Sequence, residues 1–107
     1  MKHDSVIYFL LDPGSDCIKI GNSSLKNLNK RIGELQISSP NSLKLLGVIW
    51  GDMNLEHRLH EQFSNERIRG EWFKSNDRLL AFINESWDFT IHESLDKKLG
   101  RYFQNNL

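Results

Sequence analysis

Short apolar runs alternate with polar breaks along the chain. Val6 to Leu11 reads Val-Ile-Tyr-Phe-Leu-Leu, continuously apolar and rich in β-formers, which suits a strand covered on both faces. Asp12-Pro13-Gly14-Ser15-Asp16 interrupts it with turn chemistry: proline fixes φ, glycine permits a positive φ and the aspartates can bond nearby amides. Cys17 to Ile20 resumes a strand, and Gly21 closes it where a side chain would obstruct a sharp exit or a close ligand. Asn22, Ser23 and Ser24 are capping residues, and Leu25, Leu28, Ile32 and Leu35 recur at helical spacing, so a helix is expected from about Leu25 to Ile37. Pro40 ends that segment, and Ser42 to Trp50 reads as a third strand. Asp52 or Asn54 caps a second helix to about Phe63, with Leu55, Leu59 and Phe63 as its core stripe. Asn65 to Gly70 reads as a polar loop, Gly70 to Phe73 as a return to the sheet or its edge, and Ser75 as the cap of a third helix through about Glu85. Trp87, Phe89 and Ile91 then alternate like a short edge strand, and Leu95, Leu99, Tyr102 and Phe103 recur at helical spacing after Ser94.

These elements predict an α/β (α+β) fold: a three-stranded, mainly antiparallel sheet flanked by helices, with a C-terminal strand and helix appended. The 107 residues fit one domain, with a core over residues 6–73 and a C-terminal helix and appended segment over 74–107. Acidic and basic residues balance at 14 each, so any contact with nucleic acid is a local patch rather than a basic shell. One cysteine excludes an internal disulfide and a cysteine-based zinc site and fits a reducing cytoplasm. The apolar runs fall far short of the roughly 20 residues a membrane helix needs, and the N-terminus lacks a signal-peptide core. A soluble, cytoplasmic protein is expected.

Three chemical tools sit on the first hairpin and its following helix. Tyr8 offers a phenol, Lys19 an ammonium and Arg31 a guanidinium able to grip two phosphate oxygens, a set that suits a phosphodiester. Tyr8 shares a strand face with Val6 and Leu10, and Lys19 with Cys17; whether they face one cleft depends on the hairpin register. The plain alternatives are a core tyrosine, a solvated lysine and a surface arginine lying on its own stem. On the second helix Glu56 and His60 stand one turn apart on one flank of the apolar stripe. A lone carboxylate at the rim of a basic site is what magnesium or manganese requires, with water and phosphate oxygens completing the shell. His60 orders the site or caps the core. His57 and His60 around that glutamate do not follow the His-Glu-x-x-His order of zinc hydrolases. Arg67 and Arg69 could lean on a nucleic-acid backbone.

With these residues in view the chain resembles the GIY-YIG nuclease superfamily. Its two signature tripeptides fall on Val6-Ile7-Tyr8 and Lys19-Ile20-Gly21 and its helical arginine on Arg31, and Asn27 to Arg31 is similar to the corresponding helix start in the incision subunit of bacterial excision repair. The phage-type branch is the nearer likeness, through Ile18 to Gly21, Arg31, Leu35-Gln36, Pro40, Glu56, Leu59-His60, Phe63 and Gly70 to Phe73. The resemblance implies a metal-dependent endonuclease that hydrolyses DNA. Glu56 would hold the single Mg2+ or Mn2+ ion, and Tyr8, Lys19, Arg31 and His60 would act in catalysis. Gly21, Arg67 and Arg69 would lie against the substrate. Tyr8, directly or through a metal-bound water, would help deprotonate the attacking water, while Arg31 and Lys19 stabilise charge on the phosphate.

Three positions depart from that pattern: Lys19 replaces the second signature tyrosine, Asn22 a basic residue, and Leu35 a histidine or tyrosine. A non-catalytic module that holds nucleic acid through Lys19, Arg31 and the Arg67/Arg69 loop is therefore the competing reading. A third is a protein-binding module, with a C-terminal helix that could dock a second copy of the chain.

Overall fold

The computed structural model describes residues 4–86 together with Ile91, His92 and Leu95. Eight elements follow in order: β1 (Ser5–Asp12), β2 (Cys17–Ser24), α1 (Leu28–Ile37), β3 (Lys44–Trp50), α2 (Met53–Gln62), β4 (Arg67–Arg69), β5 (Trp72–Lys74) and α3 (Asp77–Glu85). The strands form one five-stranded sheet in the order β3-β1-β2-β5-β4, with every pairing antiparallel. The α+β architecture is as expected, and the count of three strands is corrected to five. The two additional strands are the short hairpin of β4 and β5, whose turn residue Gly70 adopts φ +55, a conformation that favours glycine.

The apolar run of β1 is buried because it is an interior strand of the sheet, flanked by β2 and β3 and covered on both faces. Alternation sends Val6, Tyr8 and Leu10 to one face, where they pack with Leu28 and Ile32 of α1 and Leu45 and Val48 of β3. Ile7 and Phe9 face the other way, with Ile18 and Ile20 of β2, Leu59 of α2, Phe63, Phe73, Leu79 and Ile83. The sheet thus carries α1 on one face and α2 with α3 on the other. β3 keeps both faces apolar through a bulge: Phe9 pairs with Gly47 and Leu10 with Leu45, leaving Leu46 as the extra residue.

Local chemistry sets the element ends. The Asp12 carboxylate accepts from the Gly14 amide and from Asn41 Nδ2, both at 3.0 Å, and the positive φ of the turn falls on Asp16 rather than on Gly14. α1 begins at Leu28 instead of Leu25, because Asn22 and Ser23 remain in β2 and Ser24 Oγ accepts from the Asn27 amide in the intervening turn. Gly21 therefore does not close β2. Asp52 caps α2 as expected, accepting from the amides of Asn54 and Leu55. α3 is capped by Asn76 in place of Ser75. Gln36, at the end of α1, donates to Asn41 O and accepts from the Leu43 amide, both at 2.8 Å, so it fixes the turn into β3.

The apolar edge strand expected near Trp87 and Phe89 lies outside the described residues, except that Ile91, with His92, has helical backbone and packs into the first core. Ser94, Leu99, Tyr102 and Phe103, and with them the C-terminal helix and any dimer surface on it, lie outside the described residues. Among those described, no helix is long and apolar enough to cross a membrane.

Candidate functional site

The outer edge of β2 changes character at Ile20. Up to Lys19 the strand is paired with β5, Cys17 opposite Lys74 and Lys19 opposite Trp72. At Ile20 the amide still donates to Glu71 O at 3.0 Å, while the carbonyl is met by a side chain, His60 Nε2, at 3.0 Å. Beyond that point no strand covers this edge among the described residues. Side chains from both faces of the sheet can therefore meet around it, and the residues singled out from sequence converge there.

Register settles the first hairpin. Tyr8 pairs with Gly21 and Leu10 with Lys19, so Tyr8, Lys19 and Gly21 lie on one face, the face covered by α1. A Cβ built on Gly21 would stand 2.4 Å from the Tyr8 ring and hydroxyl, which makes glycine the residue that lets the phenol lie flat across β2. Tyr8 is 2% exposed. Burial, opposed by the nearby Arg31 guanidinium and reinforced by Glu71 and Glu56, pushes its hydroxyl up to about 12. The phenol is thus protonated at neutral pH and able to donate a hydrogen bond.

Lys19 is held from two sides. Its Nζ lies 3.0 Å from Glu71 Oε1 and 5.6 Å from the centroid of the Trp72 ring. The geometry follows from the hairpin, since Trp72 is the cross-strand partner of Lys19 and Glu71 precedes it. Arg31 stands exposed on α1, near enough to lower the Tyr8 hydroxyl.

Glu56 and His60 approach from α2 on the opposite face. Glu56 is only 6% exposed, and among the described residues no hydrogen bond or ion pair reaches its carboxylate. Burial first, then the negative charge of Glu71, raises its pKa above the ordinary value, against His60, His57 and Lys19, which lower it. His60 is anchored: a carbonyl only accepts, so the Nε2 that meets Ile20 O carries the proton, and in the neutral ring Nδ1 holds the lone pair. The ring also lies 5.0 Å from that of Phe73.

Tyr8, Lys19, Gly21, Arg31, Glu56 and His60 therefore form one electrostatic neighbourhood. Arg67 and Arg69 do not act as a pair. Arg69 is opposite Trp72, which separates it from Lys19 on β2, whereas Arg67 is opposite Phe73 across a bulge and donates through Nε to Gly70 O at 2.7 Å. Glu71 is the site residue the sequence reading left without a role; its only signal was its place between Gly70 and Trp72 in a hairpin of three-residue strands. Among the described residues no group of three or more His, Cys, Asp or Glu side chains is placed to hold a metal ion. The donor set fits a cation held by one hard carboxylate oxygen and otherwise by water and phosphate, and it does not fit an all-protein cage.

Comparison with curated proteins and with solved structures returns no match. A family model does match, from β1 through α3, and it is not that of a GIY-YIG nuclease, which corrects the resemblance drawn from the tripeptides. Packing accounts for those tripeptides. Tyrosine lies over glycine across a hairpin, and Ile7 and Ile20 fill the opposite face, so sheet geometry alone asks for such residues. Gln36 likewise fixes the turn into β3, and Leu35 packs against the core beneath α1. The model covers residues 5–88, and the chain belongs to the T5orf172 domain family.

Proposed function

We propose that the site around the β2 edge binds a DNA backbone and hydrolyses its phosphodiester with Mg2+ or Mn2+ held at Glu56. The observation that carries this reading is Glu56 itself: a residue only 6% exposed whose carboxylate has no partner among the described residues, set near Lys19, His57, His60, Glu71 and the Tyr8 phenol, with Arg31 in turn near that phenol. Burying a charge unpaired is unfavourable to the fold, and such residues gather where a ligand completes them. The T5orf172 domain is phage-associated and nuclease-like, which supports the same class of chemistry.

Arg31 and Lys19 supply positive charge for the phosphoryl oxygens, Arg31 with a fork that matches two of them. The Tyr8 hydroxyl, held protonated, donates a hydrogen bond to one of them. His60, fixed through Nε2, has its Nδ1 lone pair to accept a proton from the attacking water. A divalent ion at Glu56, when bound, adds Lewis-acid charge where the leaving oxygen develops.

Supercoiled plasmid incubated with magnesium or manganese tests the reading. Metal-dependent nicking is expected from the native chain, with Glu56→Ala and Arg31→Ala each losing at least about 100-fold. Binding of DNA without nicking assigns the site to nucleic-acid binding alone, and nicking untouched by either substitution removes catalysis from it.

A further inference from the structure

The Lys19 ion pair is a second feature of the β2 edge, and the proposed chemistry does not use it. Lys19 is the cation best placed on the β2 face, yet its ammonium is already occupied: Glu71 Oε1 lies at 3.0 Å and the Trp72 ring beneath. The lysine side chain is 15% exposed and that of Glu71 42%, so the carboxylate is on the solvent side of the pair. An incoming anion meets Glu71 first.

We propose that Glu71 is a specificity-determining residue: its carboxylate sits as an internal counter-ion where a substrate phosphate would meet Lys19, so that free phosphate is excluded and a DNA strand, which brings several phosphates, displaces it. This rests on the nucleic-acid reading of the β2 edge. A free phosphate competes with Glu71 for one ammonium and gains one contact. A strand also reaches Arg31 on α1 and Arg69, which stands beside Trp72 on the same hairpin. Its additional contacts offset the lost pair, as linked sites do. When Glu71 swings away, the carboxylate remains in water, where it is already nearly half exposed, and Lys19 keeps its place on Trp72. The exchange leaves no buried group without a partner. Glu71 thus sets the threshold of ligand charge at which the site is occupied.

Two probes test this: a fluorescein-labelled duplex followed by anisotropy over a salt series, and inorganic phosphate followed through the backbone amide shifts of Lys19 to Gly21. Both are applied to the full chain, to Glu71→Gln, to Lys19→Gln and to the double variant, with thermal melting as the check on folding. Glu71→Gln is expected to bind the duplex about 2- to 5-fold tighter, with a salt slope steeper by about one unit, and to bind phosphate at concentrations that leave the native chain untouched. The gain should vanish when Lys19 is also replaced. Equal or weaker binding by Glu71→Gln, an unchanged slope, or a gain that survives the loss of Lys19 overturns the proposal while leaving the β2 edge a nucleic-acid site. A native chain that binds no duplex at low salt overturns both. Should Glu71→Gln melt early, Glu71→Ser is held to the same outcomes.

Discussion

Glu56 and Glu66 are both buried carboxylates on the α2 side of the sheet, and their surroundings are opposite. Glu66 accepts from Asn76 Nδ2 at 2.9 Å and from Arg78 Nη1 at 3.0 Å. Arg78 also donates to Gln62 O and lies 4.6 Å from the Phe63 ring, so one cluster joins the end of α2 to the start of α3. The hydrogen bond from Asn76 leads in holding the Glu66 carboxyl below its ordinary value, followed by Arg78. Glu56 has no such partners, and burial holds it above the same value. A carboxylate that stabilises a fold is surrounded by donors; one left without them is available for a ligand.

Removing each carboxylate should separate stability from activity. Glu56→Gln is expected to reduce nicking by at least about 100-fold while leaving the fold as stable as before or slightly more so, because a neutral amide is not disfavoured by the partial desolvation that raises the Glu56 pKa. Glu66→Gln should do the reverse, losing about 2 kcal/mol in urea unfolding at pH 7 with nicking intact at temperatures where it is folded. Equal stability losses in both variants would erase the distinction.

The two groups also pull the pH dependence of stability in opposite directions. Glu66 binds its proton less readily folded than unfolded, so its contribution is present above its ordinary value of 4.5 and disappears as pH falls through its lower folded pKa. Glu56 binds its proton more readily when folded; its contribution is present below 4.5 and is lost as pH rises through its higher folded pKa. Urea unfolding from pH 3 to 7 should therefore show a shallower acid-side loss in Glu66→Gln and a smaller decline above the ordinary carboxylate range in Glu56→Gln.

Smaller effects sharpen the picture of the β2 edge. Tyr8→Phe should leave stability within about 0.5 kcal/mol, since among the described residues no partner holds the hydroxyl, and should lower nicking about 10-fold or more through the lost donor. No absorbance change from Tyr8 is expected below about pH 11, in keeping with its pKa of about 12. Arg69→Ala should weaken duplex binding by about 2- to 5-fold, whereas Arg67→Ala, whose Nε is engaged by Gly70 O, should change it less. If Arg67→Ala is the more damaging, the hairpin does not present Arg69 to the backbone as its register implies.

Much of the scaffold was legible in the sequence because its signals are strong: the apolar β1, the Pro-Gly turn, the Asp52 cap and the helical stripes of α1 to α3. β4 was not, because Arg67, Ile68 and Arg69 are all exposed and carry no period; only the turn at Gly70 marks the hairpin. Glu66 sits in what reads as a polar loop, and its burial depends on Asn76 and Arg78, which only the fold brings to it. The residues around the β2 edge were legible as chemistry but not as a site. That Tyr8 and Lys19 share a face follows from the pairing of Tyr8 with Gly21, which a slip of one residue would have reversed. The family likeness misled for a related reason, since a tyrosine packed on a glycine leaves the same short signature wherever a sheet needs that pair.

The most direct measurement is made on one preparation of Glu56→Gln, assayed side by side with the native chain for urea unfolding and for plasmid nicking in magnesium or manganese. Undiminished stability with nicking lost is the expected result and would place Glu56 in the service of a ligand rather than the fold. A destabilised protein, or one that nicks as the native chain does, would contradict it.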